Sequence, residues 1–152
     1  MSEGKWTSNH RLRGIAYAYV RLKFSNDLFP NGIPNISFVV QGKKVYDPRT
    51  TNTTYSTNSA LILRDYLSNS DLGLGCGSAE LNDTIFTSCA NTCDENVTLS
   101  AGGTEKRYTA NGVIQATQTP QSAIEEIISS CGGTLTYMGG TFALKVATYA
   151  TP

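Results

Sequence analysis

From Arg13 to Phe24 the chain alternates, with Ala16, Ala18, Val20, Leu22 and Phe24 on one face and Ile15, Tyr17, Tyr19, Arg21 and Lys23 on the other. Period two is the repeat of a β-strand, and the mixed second face predicts a strand covered on both sides over part of its length. Turn residues follow at Asn26-Asp27 and Pro30-Asn31-Gly32. Ile36 to Val40 reads as a second strand, and Lys43 to Tyr46, after the turn at Gln41-Gly42, as a short third. Pro48 lacks a donor and is expected to stop sheet pairing, leaving the Thr/Asn-rich run from Arg49 to Ser56 as an exposed loop.

The period then changes to that of a helix. Asn58 predicts a cap for a helix over Ser59 to Leu67, with Ala60, Leu63 and Leu67 in one stripe broadened by Ile62 and Tyr66. Ser78 is the expected cap of a second helix reaching about Cys93. Its buried rows are Leu81, Ile85 and Cys89, then Phe86, Ala90 and Cys93. Val97 to Leu99 and Lys106 to Thr109 read as strands around Ala101-Gly102-Gly103, with a further turn at Ala110-Asn111-Gly112. Thr119-Pro120 joins a capping side chain to a proline at the first helical position, and Ile124, Ile127, Ile128 and Cys131 give that third helix its stripe. Gly132-Gly133 ends it. Finally, Leu135 to Met138 and Thr141 to Thr148 flank Gly139-Gly140, the pair of glycines a type I′ hairpin requires.

These elements predict an α+β fold: mainly antiparallel β-sheet, about three covering helices and a C-terminal β-hairpin. Residues 1–10 read as a flexible or vector-derived leader, and residues 11–150 as one domain. The length of 152 residues suits one domain, and the 39 % of hydrophobic residues suffices for a core. Twelve basic residues balance twelve acidic ones. Such neutrality argues against electrostatic capture of nucleic acid or an anionic membrane. No apolar run reaches the roughly 18 residues of a membrane span. Charged residues make up only 16 % of the chain. A surface so weakly charged suits a protein packed into an assembly, and equally an ordinary β-rich surface of short polar side chains.

Candidate chemistry is sparse. The cysteines, Cys76, Cys89, Cys93 and Cys131, include one C-x3-C and two distant singles. Buried thiols, one or two disulfides, or a metal site are all compatible with that spacing, although Cys89 and Cys93 one helical turn apart are poorly placed for a mutual disulfide. His10, the only histidine, lies in the leader, so a histidine-dependent triad is not expected. Glu125 with Glu126 and Asp94 with Glu95 read as solvated surface pairs. Gly73, Gly75 and Gly77 precede a helix in the manner of a phosphate-binding turn, but no Walker lysine follows them. Lys43, Lys44 and Arg49 around Tyr46 make a candidate stacking patch for a polymer, interrupted by Asp47. The sequons at Asn35, Asn52, Asn82 and Asn96 are the by-product of abundant Asn, Ser and Thr. No catalytic, cofactor-binding or metal-binding residue is assigned.

Several runs resemble a known family. Gly14-Ile15-Ala16-Tyr17 with Val20-Arg21-Leu22, GIPNISFVVQGKKVYDPR from Gly32 to Arg49, and ALILRDYL from Ala60 to Leu67 are similar to the tail tip attachment proteins of long-tailed phages, also called host-specificity or central tail hub proteins. EKRYTANGVI, Glu105 to Ile114, and the stretch from Ser122 to Tyr149 continue the similarity in the same order. The resemblance implies a non-enzymatic virion component, made in the bacterial cytoplasm and placed at the tail tip. Its parent would be a longer homotrimeric hub that acts in distal tail assembly and indirectly in host attachment. Expected partners are adjacent domains of that parent and other tail subunits. The isolated domain is compatible with a monomer. A stand-alone carbohydrate- or polymer-binding domain is the alternative.

Overall fold

The computed structural model describes residues 7, 9, 10, 15–23 and 25–148. Two compact units divide the chain, Met1–Val39 and Val40–Pro152. In the first, the expected turns are present: the Phe29 N–H donates to the Ser25 carbonyl at 2.9 Å and that of Gly32 to Phe29 at 3.1 Å. Among the described residues the two expected strands are not present. Residues 15–23 and 34–39, and Val40 at the start of the second unit, have no regular secondary structure and lie largely exposed. Alternation of side chains sets which faces a strand would show, but a strand exists only as one side of a ladder. Arg13, Gly14 and Phe24, the ends of the longer segment, fall outside the described residues.

Among the described residues the regular elements all lie in the second unit. β1, Lys44–Asp47, pairs antiparallel with β2, Asn52–Tyr55, so the expected loop after Pro48 is in fact a hairpin. Its polar composition concealed a run of threonines, whose β-branched side chains suit an exposed ladder. Pro48 sits within the turn, which closes on Thr51 at φ 58° with the Thr51 N–H donating to the Asp47 carbonyl at 2.8 Å.

Helix α1, Ser59–Ser68, starts where expected, with the Asn58 side chain accepting from the Ala60 and Leu61 N–H groups. The second helix starts later than Ser78. A single 3-10 turn, Ser78–Glu80, comes first, and α2, Asp83–Asp94, is capped by Asn82. The cause is tertiary. Leu81 forms a β-bridge with Phe142, and the Asn82 N–H donates to the Phe142 carbonyl at 3.3 Å, which holds these two residues out of a helix. β3, Asn96–Thr98, pairs with β4, Thr104–Lys106. Beyond Lys106 the expected strand does not continue, because the Arg107 and Tyr108 N–H groups bond back to Glu95 and Cys93. No turn forms at residues 110–112. α3, Pro120–Ser129, begins at its Thr119 cap as expected, and β5, Thr134–Met138, meets β6, Thr141–Lys145, across two glycines of positive φ.

The fold is therefore α+β, with three α-helices and a C-terminal hairpin. Its antiparallel strands form three separate two-stranded ladders. α1 is the hub: α2, α3 and β1 all pack on it, and β6 packs on α2. Leu61, Leu63 and Leu67 of α1 are buried with Phe86, Ala90 and Cys93 of α2. On α3 the buried positions are Ala123 and Ile127, while Ile124 and Ile128 pack on the edge of the cluster. Asn58, itself buried, ties the arrangement together, since its amide also donates to the Ala90 carbonyl at 2.9 Å. Every buried side-chain polar atom among the described residues has a partner.

Candidate functional site

Charged side chains singled out in the sequence are mostly consumed by one another. Lys43 reaches Asp65 at 2.6 Å. Arg49 grips Asp47 at 2.8 Å and Asp94 at 2.8 Å, and also donates to Asn91, so its guanidinium fastens the β1–β2 turn to the end of α2. The Arg49 hydrogen bond holds the Asp47 carboxyl below its usual range, while Asp47, chiefly, raises the guanidinium. Arg64, nearly enclosed in α1, forms a two-pronged pair with Asp83 at 2.7 and 2.9 Å and lies 5.0 Å from the centroid of the Tyr46 ring. One face of Tyr46 is thus already occupied by an arginine of its own chain, and among the described residues Lys43 and Arg49 are both paired with carboxylates while Lys44 is not. That is a poor platform for stacking a polymer.

The remaining candidates disperse in the same way. Asp94 and Glu95, adjacent in sequence, serve different arginines, Glu95 pairing with Arg107 at 2.8 Å. Glu125 accepts from Gln121, while Glu126 is exposed one residue on. His10 is exposed and accepts from the Thr7 N–H at 3.0 Å. Asn82 spends its side chain as a helix cap, and the other three sequon asparagines are exposed. The glycine-rich run from Leu72 to Gly77 wraps the end of α1: the Leu74 N–H donates to Tyr66, Gly75 to Asn69 and Cys76 to Leu67. These bonds satisfy carbonyls that a helix end leaves without intrahelical partners. The turn serves a helix C-terminus, the wrong end for an anion.

All four cysteines are free thiols. Cys89, Cys93 and Cys131 are buried, and Cys89 donates to the Leu144 carbonyl at 3.1 Å. Among the described residues no three metal-ligating side chains gather. Burial pushes the Cys93 thiol from 9.0 up to about 11, with smaller contributions from Cys131, Cys89 and Asp94. The unfolded chain therefore loses this proton first as pH rises. Stability from Cys93 is intact below pH 9 and should fall by about 2–3 kcal/mol on approaching pH 11. Urea midpoints measured at pH 8 and pH 10.5 check this, a flat profile being the contrary result.

One concavity of about 680 Å³ opens on the second unit, between the β1–β2 hairpin, α1, α3 and the irregular segment 109–116. Val45, Tyr66 and Ile127 form its buried floor, with Ile62 half-buried beside them. Val40, Gly42 and Lys43 make one wall and residues 109–116 the other. Its charges are the Lys43–Asp65 pair and Glu126 at the rim. Among the described residues its lining is an apolar trough with polar edges, a shape suited to contact. Sequence reading missed it because its walls are brought together only by the fold.

No family model matches the chain. It is similar to tip attachment protein J of Escherichia phage SECphi27, at 28 % identity over 144 residues, covering 84 % of this chain and 12 % of that protein. The chain thus spans a small part of the length of the curated relative it matches. At that identity the relation is distant, and it is to a phage tail attachment protein.

Proposed function

We propose that this chain is a structural domain of a phage tail tip, working through mechanical contact in distal tail assembly and only indirectly in host attachment. The observation that carries the reading is the similarity to a tip attachment protein across 84 % of the chain. The site supports it: carboxylates and guanidiniums are spent on joining elements, as in Arg49 between the hairpin and α2, and the remaining concavity is apolar. In this reading the domain belongs to a longer, trimeric hub, with neighbouring hub domains and other tail subunits as its contacts. It resides in the virion after synthesis in the host cytoplasm. Antibodies raised against the purified chain, applied with gold label to particles released by the strain that carries the gene, provide the test. Label at the distal tail tip is expected. Label on the capsid or tail shaft, or particles that lack the chain altogether, overturns the reading.

A further inference from the structure

We propose that Asn111 is a site of spontaneous modification, at which the backbone nitrogen of Gly112 attacks the side-chain amide and the asparagine becomes, over time, isoaspartate and aspartate. The site stands apart from the tail-tip reading and does not depend on it.

The chain contains two Asn-Gly pairs, Asn31-Gly32 and Asn111-Gly112. In such a pair the nitrogen of the following residue is tethered close to the side-chain carbonyl carbon, and bonding between them closes a five-membered ring. Glycine opposes closure least, since no Cβ crowds the approach and its backbone turns freely. The fold decides which pair is free to close. Asn111 and Gly112 are exposed in a stretch without regular structure. Ala110 before them is pinned, its N–H donating to the Thr57 carbonyl at 2.7 Å. Among the described residues neither the Gly112 N–H nor the Asn111 side chain has a hydrogen-bond partner. At the other pair the Gly32 N–H donates to the Phe29 carbonyl at 3.1 Å and Gly32 holds φ at 89°, so a turn must open before that nitrogen can attack. Asn58 and Asn69, each followed by a serine, spend their side-chain oxygens on backbone N–H groups.

Hydroxide removes the Gly112 amide proton, and the nitrogen bonds to the Asn111 Cγ. That carbon expels its amino group, which takes up a proton and leaves as ammonia. Water then opens the succinimide ring at either carbonyl carbon. Cleavage at Cγ restores the main chain and leaves an aspartate carboxylate; cleavage at the backbone carbonyl leaves isoaspartate, with the chain rerouted through Cβ. The sum is amide plus water giving acid plus ammonia, with no change of oxidation state. Because Asn111 lines the groove, either product sets a carboxylate in its wall, and isoaspartate also lengthens the backbone of that wall.

Trypsin releases Asn111 in the peptide Tyr108–Lys145, which holds no other asparagine. The full chain, held for days at pH 8.5 in heavy-oxygen water and then digested in ordinary water, is expected to show that peptide as the acid carrying one heavy oxygen, in two chromatographic forms. Asn31 should convert several-fold more slowly. In guanidinium chloride, where the turn at Gly32 is gone, the two pairs should convert alike. Gly112→Ala has room for its methyl group, and should slow the reaction by at least about tenfold while circular dichroism stays unchanged. An Asn111 that does not convert overturns the proposal, as does an Asn31 that converts as fast in the folded chain. So does an Asn31 that stays slower in denaturant, or a Gly112→Ala variant that converts at the parent's rate.

Discussion

Replacing Phe86 by alanine is expected to bring the second unit close to unfolding. The ring is completely buried in α2 within the cluster that α1 and α3 share. Removing so large a side chain from an enclosed site typically costs about 3–5 kcal/mol, transfer and cavity terms together. Whole domains hold only about 5–15 kcal/mol. With a urea dependence near 2 kcal/mol/M, the midpoint followed by the helical circular dichroism signal should drop by on the order of 2 M. Phe38→Ala is the contrast: that ring is exposed in the first unit, and the change should lie within about 0.5 kcal/mol. Equal losses for the two variants would mean that α2 is not the seat of the core.

Which parts of this arrangement could be read beforehand follows from how far apart the determining residues lie. Asn58 caps α1 and Thr119-Pro120 starts α3 through contacts two or three residues away, so their signals are local and the helices appear where the pattern puts them. The same holds for the Gly139-Gly140 hairpin, where two positive φ angles are set by two residues. The late start of α2 depends on Phe142, some sixty positions downstream, gripping Leu81 and Asn82. No spacing around Ser78 contains that. Arg64 meeting Asp83 and Tyr46 is equally non-local, and within the helix Arg64 looks like an ordinary solvated residue. β2 was hidden for a different reason, because its side chains are polar on both faces and carry no alternation. Segment 15–23 shows the reverse failure: the pattern of a strand is written clearly, and no ladder accompanies it among the described residues. The groove combines both limits, its walls drawn from Val40, Gly42, Lys43 and residues 109–116 and closed only by the packing of α1 and α3.

Gly73→Ala should be nearly as damaging as the loss of Phe86, for a reason rooted in the backbone. A methyl group there would overlap the Tyr66 carbonyl oxygen and approach the Asn69 carbonyl oxygen to 2.9 Å. Both obstacles are main-chain atoms at the end of α1, so neither can swing aside as a side chain would. The loop must lift, and lifting it endangers the bonds from Leu74 to Tyr66, Gly75 to Asn69 and Cys76 to Leu67. Overpacking costs about 1–3 kcal/mol, and each carbonyl left without a partner adds about 1–3 kcal/mol. A total of about 3–5 kcal/mol is expected from losing one or two of the three. Gly77→Ala discriminates between this account and an anion-binding role for the glycine run. At Gly77 an added methyl meets only the Glu80 Oε2 atom, at 3.7 Å, so stability should barely change. Were the run a phosphate cradle, Gly77 at the threshold of the following 3-10 turn would be a sensitive position and phosphate would raise the thermal midpoint. A severe Gly73→Ala, a neutral Gly77→Ala and a midpoint indifferent to phosphate together identify the run as the clasp on α1.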